Sequence, residues 1–60
     1  MNISMGRKIK ELRRKRGLSQ KELANYLGVS FQTISKWEND VLMPYILMVP
    51  VIAYFFNVRN

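Results

Sequence analysis

The side chains with the most chemistry to offer in this 60-residue sequence are its cations. Lysine and arginine number 10 against four acids, a formal charge of +6. Eight of them (Arg7, Lys8, Lys10, Arg13, Arg14, Lys15, Arg16 and Lys21) precede Glu22 and face Glu11 alone, which puts +7 in the first third of the chain. Lys36 and Arg59 against Glu22, Glu38 and Asp40 leave −1 for the remainder. Such a field reads either as a solvated helix face or as a footprint for an anion, nucleic acid or an anionic membrane surface. What is missing is equally informative. There is no cysteine and no histidine, so disulfides, thiolate or imidazole metal sites, catalytic triads and histidine pH switches are excluded.

The elements that position these cations must be held by packing alone. A chain this short buries only about 60% of the surface it exposes unfolded, enough for one small domain. Its 48% apolar content with three glycines and two prolines suits a packed core rather than disorder. Val41 to Phe56 is nearly all apolar. It is too short, and too interrupted by Pro44 and Pro50, for the roughly 20 residues of helix that cross a bilayer. Nor does the start of the chain carry the apolar stretch of a secretion signal. The expected location is the cytoplasm, with no membrane partner.

The apolar spacing predicts helices throughout. Met5, Ile9 and Leu12 share one face of a helix over about Ser4 to Arg16, which Gly17 ends after a basic last turn. Ser19 and Glu22 form a capping box, predicting a second helix from Gln20 to about Leu27 with Leu23, Ala24 and Leu27 inward. Gly28 stops it, and Ser30 caps a third helix from Phe31 to about Glu38, buried along Ile34 and Trp37. A loop from Asn39 to about Tyr45 leads to a fourth helix that begins near Leu47, because Pro50 is tolerated only close to a helix start. It ends near Phe56. Ile52, Phe55 and Phe56 are expected in the core, with Val58 covering its end.

The central pair of helices has a specific spacing. Counting from Gln20, position five is the small Ala24, where two helices can cross closely, and position nine is Gly28, at a turn that needs a positive φ. Positions four, eight, ten, fifteen and eighteen are the apolar Leu23, Leu27, Val29, Ile34 and Trp37. With Ile9 to Leu12, Gly17 to Glu22 and Gln32 to Asn39, these runs resemble the helix-turn-helix domain of the phage repressor and Cro proteins, the Xre family, over roughly residues 6 to 58. The resemblance implies an all-α, lambda-repressor-like domain of four to five helices. It also implies dimeric binding to palindromic operator DNA in a bacterial or phage transcriptional regulator, with no cofactor.

Carried over by residue, the resemblance makes the helix from Phe31 the recognition helix. Gln32 matches a base-reading position, and a glutamine can pair with adenine N6 and N7 or bond guanine. Lys36, one turn on, reaches guanine or a phosphate. Phe31 stands where the family often has a polar reader, which implies contact with a thymine methyl. Thr33 and Ser35 fall to phosphate or sugar, Gln20 and Asn39 match phosphate contacts, and Arg7, Lys8, Lys10 and Lys21 supply the electrostatic footprint. Arg13 and Glu38 match a charged pair tying the first helix to the end of the third.

Two features depart from the family. Its domains run about one helix beyond the position of Val58, so the last helix is expected to be truncated or absent, or this domain to be the N-terminal module of a longer regulator. The loop Asp40 to Tyr45 has lost the usual glycine, basic residues and helix cap. In addition, Tyr45, Ile46, Leu47, Met48, Val49, Val51 and Tyr54 cannot all turn inward beside Ile52, Phe55 and Phe56, and an exposed apolar patch marks an interface. The expectation is a homodimer through Tyr45, Leu47, Met48 and Tyr54. The alternatives are that a further C-terminal segment covers this surface, or that the fold is a protein-interaction module such as an antitoxin. An enzyme is not expected, since four acids without histidine or cysteine offer no general base in a cleft.

Overall fold

The computed structural model describes residues 4–57. They form four α-helices and no strand: α1 Met5–Lys15, α2 Gln20–Leu27, α3 Phe31–Glu38 and α4 Met48–Phe56. Val58, expected over the end of the core, and Arg59 lie outside the described residues.

Each of the first three helices opens on a serine hydroxyl that accepts a backbone N–H three residues ahead. Ser4 accepts from Arg7 at 3.1 Å, Ser19 from Glu22 at 3.0 Å and Ser30 from Thr33 at 3.2 Å. Glu22 completes the capping box by accepting from the Ser19 amide at 2.8 Å. α1 closes with the Gly17 N–H on the Arg14 carbonyl at 2.9 Å and the Leu18 N–H on the Arg13 carbonyl at 3.1 Å, which pairs two carbonyls the helix end would otherwise orphan. Gly28 has a φ of 74°, and this left-handed residue turns the chain from α2 toward Val29 and Ser30.

Ile9, Leu23, Ala24, Ile34, Trp37, Ile52 and Phe56 form the buried core. Leu27, Val29 and Phe55 are only half-buried at its edge, because the turn and the end of α4 leave one side of each open to solvent. α1 crosses the end of α3 at very close range. A Cβ built on Gly6 would lie 1.9 Å from the Trp37 carbonyl oxygen and 2.7 Å from Asp40 Oδ1, so the approach is open only to glycine.

In α4, Pro50 is the third residue, where its missing N–H costs no intrahelical bond. The preceding Leu47 makes no side-chain cap bond, so the start of this helix depends on packing. Arg16 ties its far end to α1. Nη2 donates to the Phe55 carbonyl at 3.0 Å, and the guanidinium lies 5.3 and 5.7 Å from the ring centroids of Phe55 and Phe56. A cation there meets both the negative end of the helix dipole and two aromatic rings. Arg16→Ala is therefore expected to lower stability by about 1 kcal/mol. In a domain of this size that is a fall in Tm of roughly 4–8 °C, and an unchanged melting curve would show the contact to be idle.

No helix among the described residues is long and apolar enough to cross a membrane.

Candidate nucleic-acid interface

Ile34 and Trp37 lock α3 by its inner edge, and this fixes what the other edge presents. Phe31, at the first helical position, is 48% exposed. Gln32 and Lys36 are exposed, four residues apart and so neighbours on one face. Neither side chain has a hydrogen bond or ion pair among the described residues, so an amide, an ammonium and a ring are left free on one outward surface.

Other residues expected beside them are engaged within the fold. Thr33 is half-buried, with Oγ1 3.0 Å from Ser30 Oγ. Ser35, also half-buried, accepts from Asn39 Nδ2 at 3.0 Å through its carbonyl and at 3.4 Å through its hydroxyl. Asn39 thus spends donor capacity on closing its own helix. That competes with the free phosphate contact expected of it.

Gln20 opens α2. Its Nε2 donates to Glu38 Oε1 at 3.1 Å, a bond between residues 18 apart that the spacing of the sequence did not reveal. The same carboxylate accepts from Arg13, Nε on Oε2 at 2.7 Å and Nη2 on Oε1 at 3.1 Å. The side chains of this ion pair are 11% and 1% exposed for Arg13 and Glu38. Arg13 Nη1 goes to the Leu18 carbonyl at 2.7 Å. Among the described residues no buried side-chain polar atom lacks a partner. The backbone N–H groups of Gln20 and Lys21 have no acceptor among the described residues, in keeping with the first turn of a helix, and they add partial positive charge there.

The structure gathers some of the expected cations and separates others. Arg7, Lys10 and Arg14 line an open groove with Ser4, Glu11, Glu38 and Asp40, between α1 and the chain leaving α3. Arg7 Nε lies 4.0 Å from Glu11 Oε2, an exposed pair of little energetic weight. Lys8 and Lys21 are exposed and do not line this groove.

On α4, Tyr45, Leu47 and Tyr54 are open to solvent, Tyr54 at 87%. Met48, expected with them in an interface, is half-buried and packs against the core. It shares a helical stripe with Ile52 and Phe56 at spacings of four, which draws it inward. Ile46 at 76% exposed, with Val41, Leu42 and Met43, extends the open apolar surface along the preceding loop.

Three structural residues escaped the sequence reading: Gly6 at the helix crossing, Arg16 on the end of α4, and Glu38 as the partner of Gln20. Only Gly6 left a local signal, a residue without a side chain one turn before Ile9 on the apolar face of α1.

Residues 9–58 match a helix-turn-helix family model, HTH_3. No curated protein and no solved structure matches the chain.

Proposed function

The chain belongs to the HTH_3 helix-turn-helix family, whose domains bind DNA in transcriptional regulators, and from this premise we propose that it recognises a specific double-stranded sequence through α3 and acts as a repressor. The observation that carries the reading is the division of α3. Its inner edge is fixed by Ile34 and Trp37, while Phe31, Gln32 and Lys36 stand outward. A major groove about 12 Å wide admits such a helix. There Gln32 bonds an adenine or guanine edge, Phe31 packs on a thymine methyl, and Lys36 takes guanine or a phosphate.

Gln20 and the open amides beginning α2 meet the backbone, supported by Arg7, Lys8, Lys10 and Lys21. Thr33 and Ser35, half-buried, are left with phosphate or sugar at the groove edge, and Asn39 is the weakest of the backbone contacts because its amide is held by Ser35. A domain of this kind seated on promoter DNA represses by occluding it, a step that uses binding alone.

The exposed Tyr45, Leu47 and Tyr54 support an isologous dimer, with the half-buried Met48 contributing only its rim. Two copies would set their recognition helices about 34 Å apart, matching a palindromic operator. Sedimentation at micromolar concentration is expected to show a dimer, and monomer alone would remove this part of the proposal. The same surface favours a second reading, a docking module for a protein such as a toxin. Salt separates the two, because phosphate contacts weaken steeply as salt rises whereas an apolar interface holds or tightens.

Titration of paired variants onto a preferred and an unrelated duplex tests base reading. Gln32→Ala is expected to lose about 1–3 kcal/mol on the preferred sequence and little on the other, while Lys36→Ala, if bound to phosphate, loses affinity on both and flattens the salt dependence. Equal losses for the two variants on every sequence would show that Gln32 does not read bases.

A further inference from the structure

Glu38 is an odd residue to find beside a DNA-binding surface. Its carboxylate is an anion, almost wholly enclosed, and it cannot itself meet a phosphate. What it does hold is Gln20. Oε1 accepts from Gln20 Nε2 at 3.1 Å, while Arg13 grips both carboxylate oxygens at 2.7 and 3.1 Å. Arg13 is anchored in turn on the Leu18 carbonyl at 2.7 Å, immediately before the Ser19 cap of α2. The carboxylate therefore cannot turn away without breaking two charge-assisted bonds.

Gln20 is the first residue of α2, where a glutamine side chain otherwise samples many rotamers and loses that freedom on contact. Its amide is planar, so fixing one N–H on Glu38 also fixes the direction of the other. The second N–H has no acceptor among the described residues, and it lies on the residue whose backbone amide, with that of Lys21, is also open.

We propose that Glu38 is a positioning residue for DNA binding, holding the Gln20 amide in place before DNA arrives so that its remaining N–H meets a backbone phosphate. This rests on the reading of Gln20 as a phosphate contact. The competing account gives Glu38 only the task of joining α1 to α3, with Gln20 as a bystander.

A double-mutant cycle separates the two. Removing Glu38 alone strands the Arg13 charge, so one background replaces the pair together, Arg13→Met with Glu38→Leu, which keeps apolar volume and leaves no unpaired ion. A second, smaller change is Glu38→Gln. Its single carbonyl oxygen is claimed by Arg13, which turns its NH2 toward the Gln20 NH2, donor against donor. In each background Gln20→Ala is compared with Gln20 by titration onto one mixed-sequence duplex of about 20 base pairs at fixed salt, with circular dichroism to establish folding. Comparing within a background cancels the lost Arg13 charge.

Gln20→Ala is expected to weaken the otherwise unaltered chain about tenfold, the worth of one hydrogen bond to an anion. In both altered backgrounds the loss shrinks to about twofold or less, because the amide is no longer aimed. A tenfold loss in every folded background would overturn the positioning role and leave Gln20 a phosphate contact in its own right. No loss in the unaltered chain, with the duplex still bound, would remove the Gln20 contact and this proposal with it, leaving α3 recognition intact. If the double replacement does not fold, the Glu38→Gln cycle decides alone.

Discussion

Arg13→Ala is expected to leave about half of the domain unfolded at room temperature. The substitution strands Glu38, whose side chain is 1% exposed, with only the neutral Gln20 amide as a donor. Removing one partner of a buried ion pair costs about 3–5 kcal/mol, because the remaining charge is neither paired nor hydrated. A single core in a chain of this length, without disulfide or metal, rarely supplies more than about 3–5 kcal/mol in total. The two quantities are equal, so the folded state loses its majority. Urea titration followed by circular dichroism checks this, with a sharply lowered or absent transition as the expected result. The joint replacement Arg13→Met with Glu38→Leu is expected to stay folded, since it removes both ions and keeps the volume. A cost under about 1 kcal/mol for Arg13→Ala would mean that water reaches Glu38, and that the pair behaves as a surface salt bridge.

Gly6→Ala should show the next largest loss, and its sign is the informative part. Gly6 lies inside α1 and its φ is not in the left-handed range. Helix propensity alone therefore predicts that alanine stabilises it by about 1 kcal/mol. Packing predicts the reverse. The new methyl would stand 1.9 Å from the Trp37 carbonyl oxygen, and that oxygen is fixed from behind by the Asp40 N–H at 3.1 Å. The Trp37 ring is buried in the core, so the end of α3 cannot swing aside, and α1 must instead move away by more than an ångström. At so short a contact with backbone the overpacking cost falls at the upper end of its range, about 3 kcal/mol, and a net loss of about 2 kcal/mol remains after the propensity gain of about 1 kcal/mol. Thermal melting of Gly6→Ala with a clearly lowered Tm is the expected outcome. A melt at or above that of the original chain would show that α1 and α3 part at the crossing at little cost.

These residues also mark where sequence reasoning reached and where it stopped. The helices were legible because their signals are local. Ser19 with Glu22, Gly28 at the turn and Ser30 before Phe31 fix the bounds of α2 and α3 within a few residues of themselves. Leu23, Ile34 and Trp37 declare their burial by spacing. Pro50 likewise constrains α4, expected to begin near Leu47 and beginning at Met48 with Leu47 before it.

What stayed hidden depends on contacts made across the fold. Gly6 reads as a weak helix former until the Trp37 carbonyl is placed against it. Arg16 reads as one more cation of a basic turn until α4 brings the Phe55 carbonyl to it from 39 residues away. Gln20 and Asn39 read as phosphate contacts, and the sequence does not show that both also donate to groups inside the fold. Met48 was grouped with exposed neighbours because a run that is apolar on every side has no period to tell the inner face from the outer. The open apolar surface of Val41 to Met43 and Tyr45 to Leu47 belongs to the same excess, carried by the loop before α4.

We propose that α3 reads a DNA sequence and that the chain does so as a symmetric pair. Selection from random duplexes with the purified chain, at low and at near-physiological salt, tests it most directly. The expected result is enrichment of an inverted repeat whose half-site centres lie about one helical turn apart, retained at the higher salt, and altered at one or two positions per half-site when Gln32→Ala is used instead. Retention of duplexes without sequence preference, vanishing as salt rises, would contradict it and leave only the field of the basic first third of the chain.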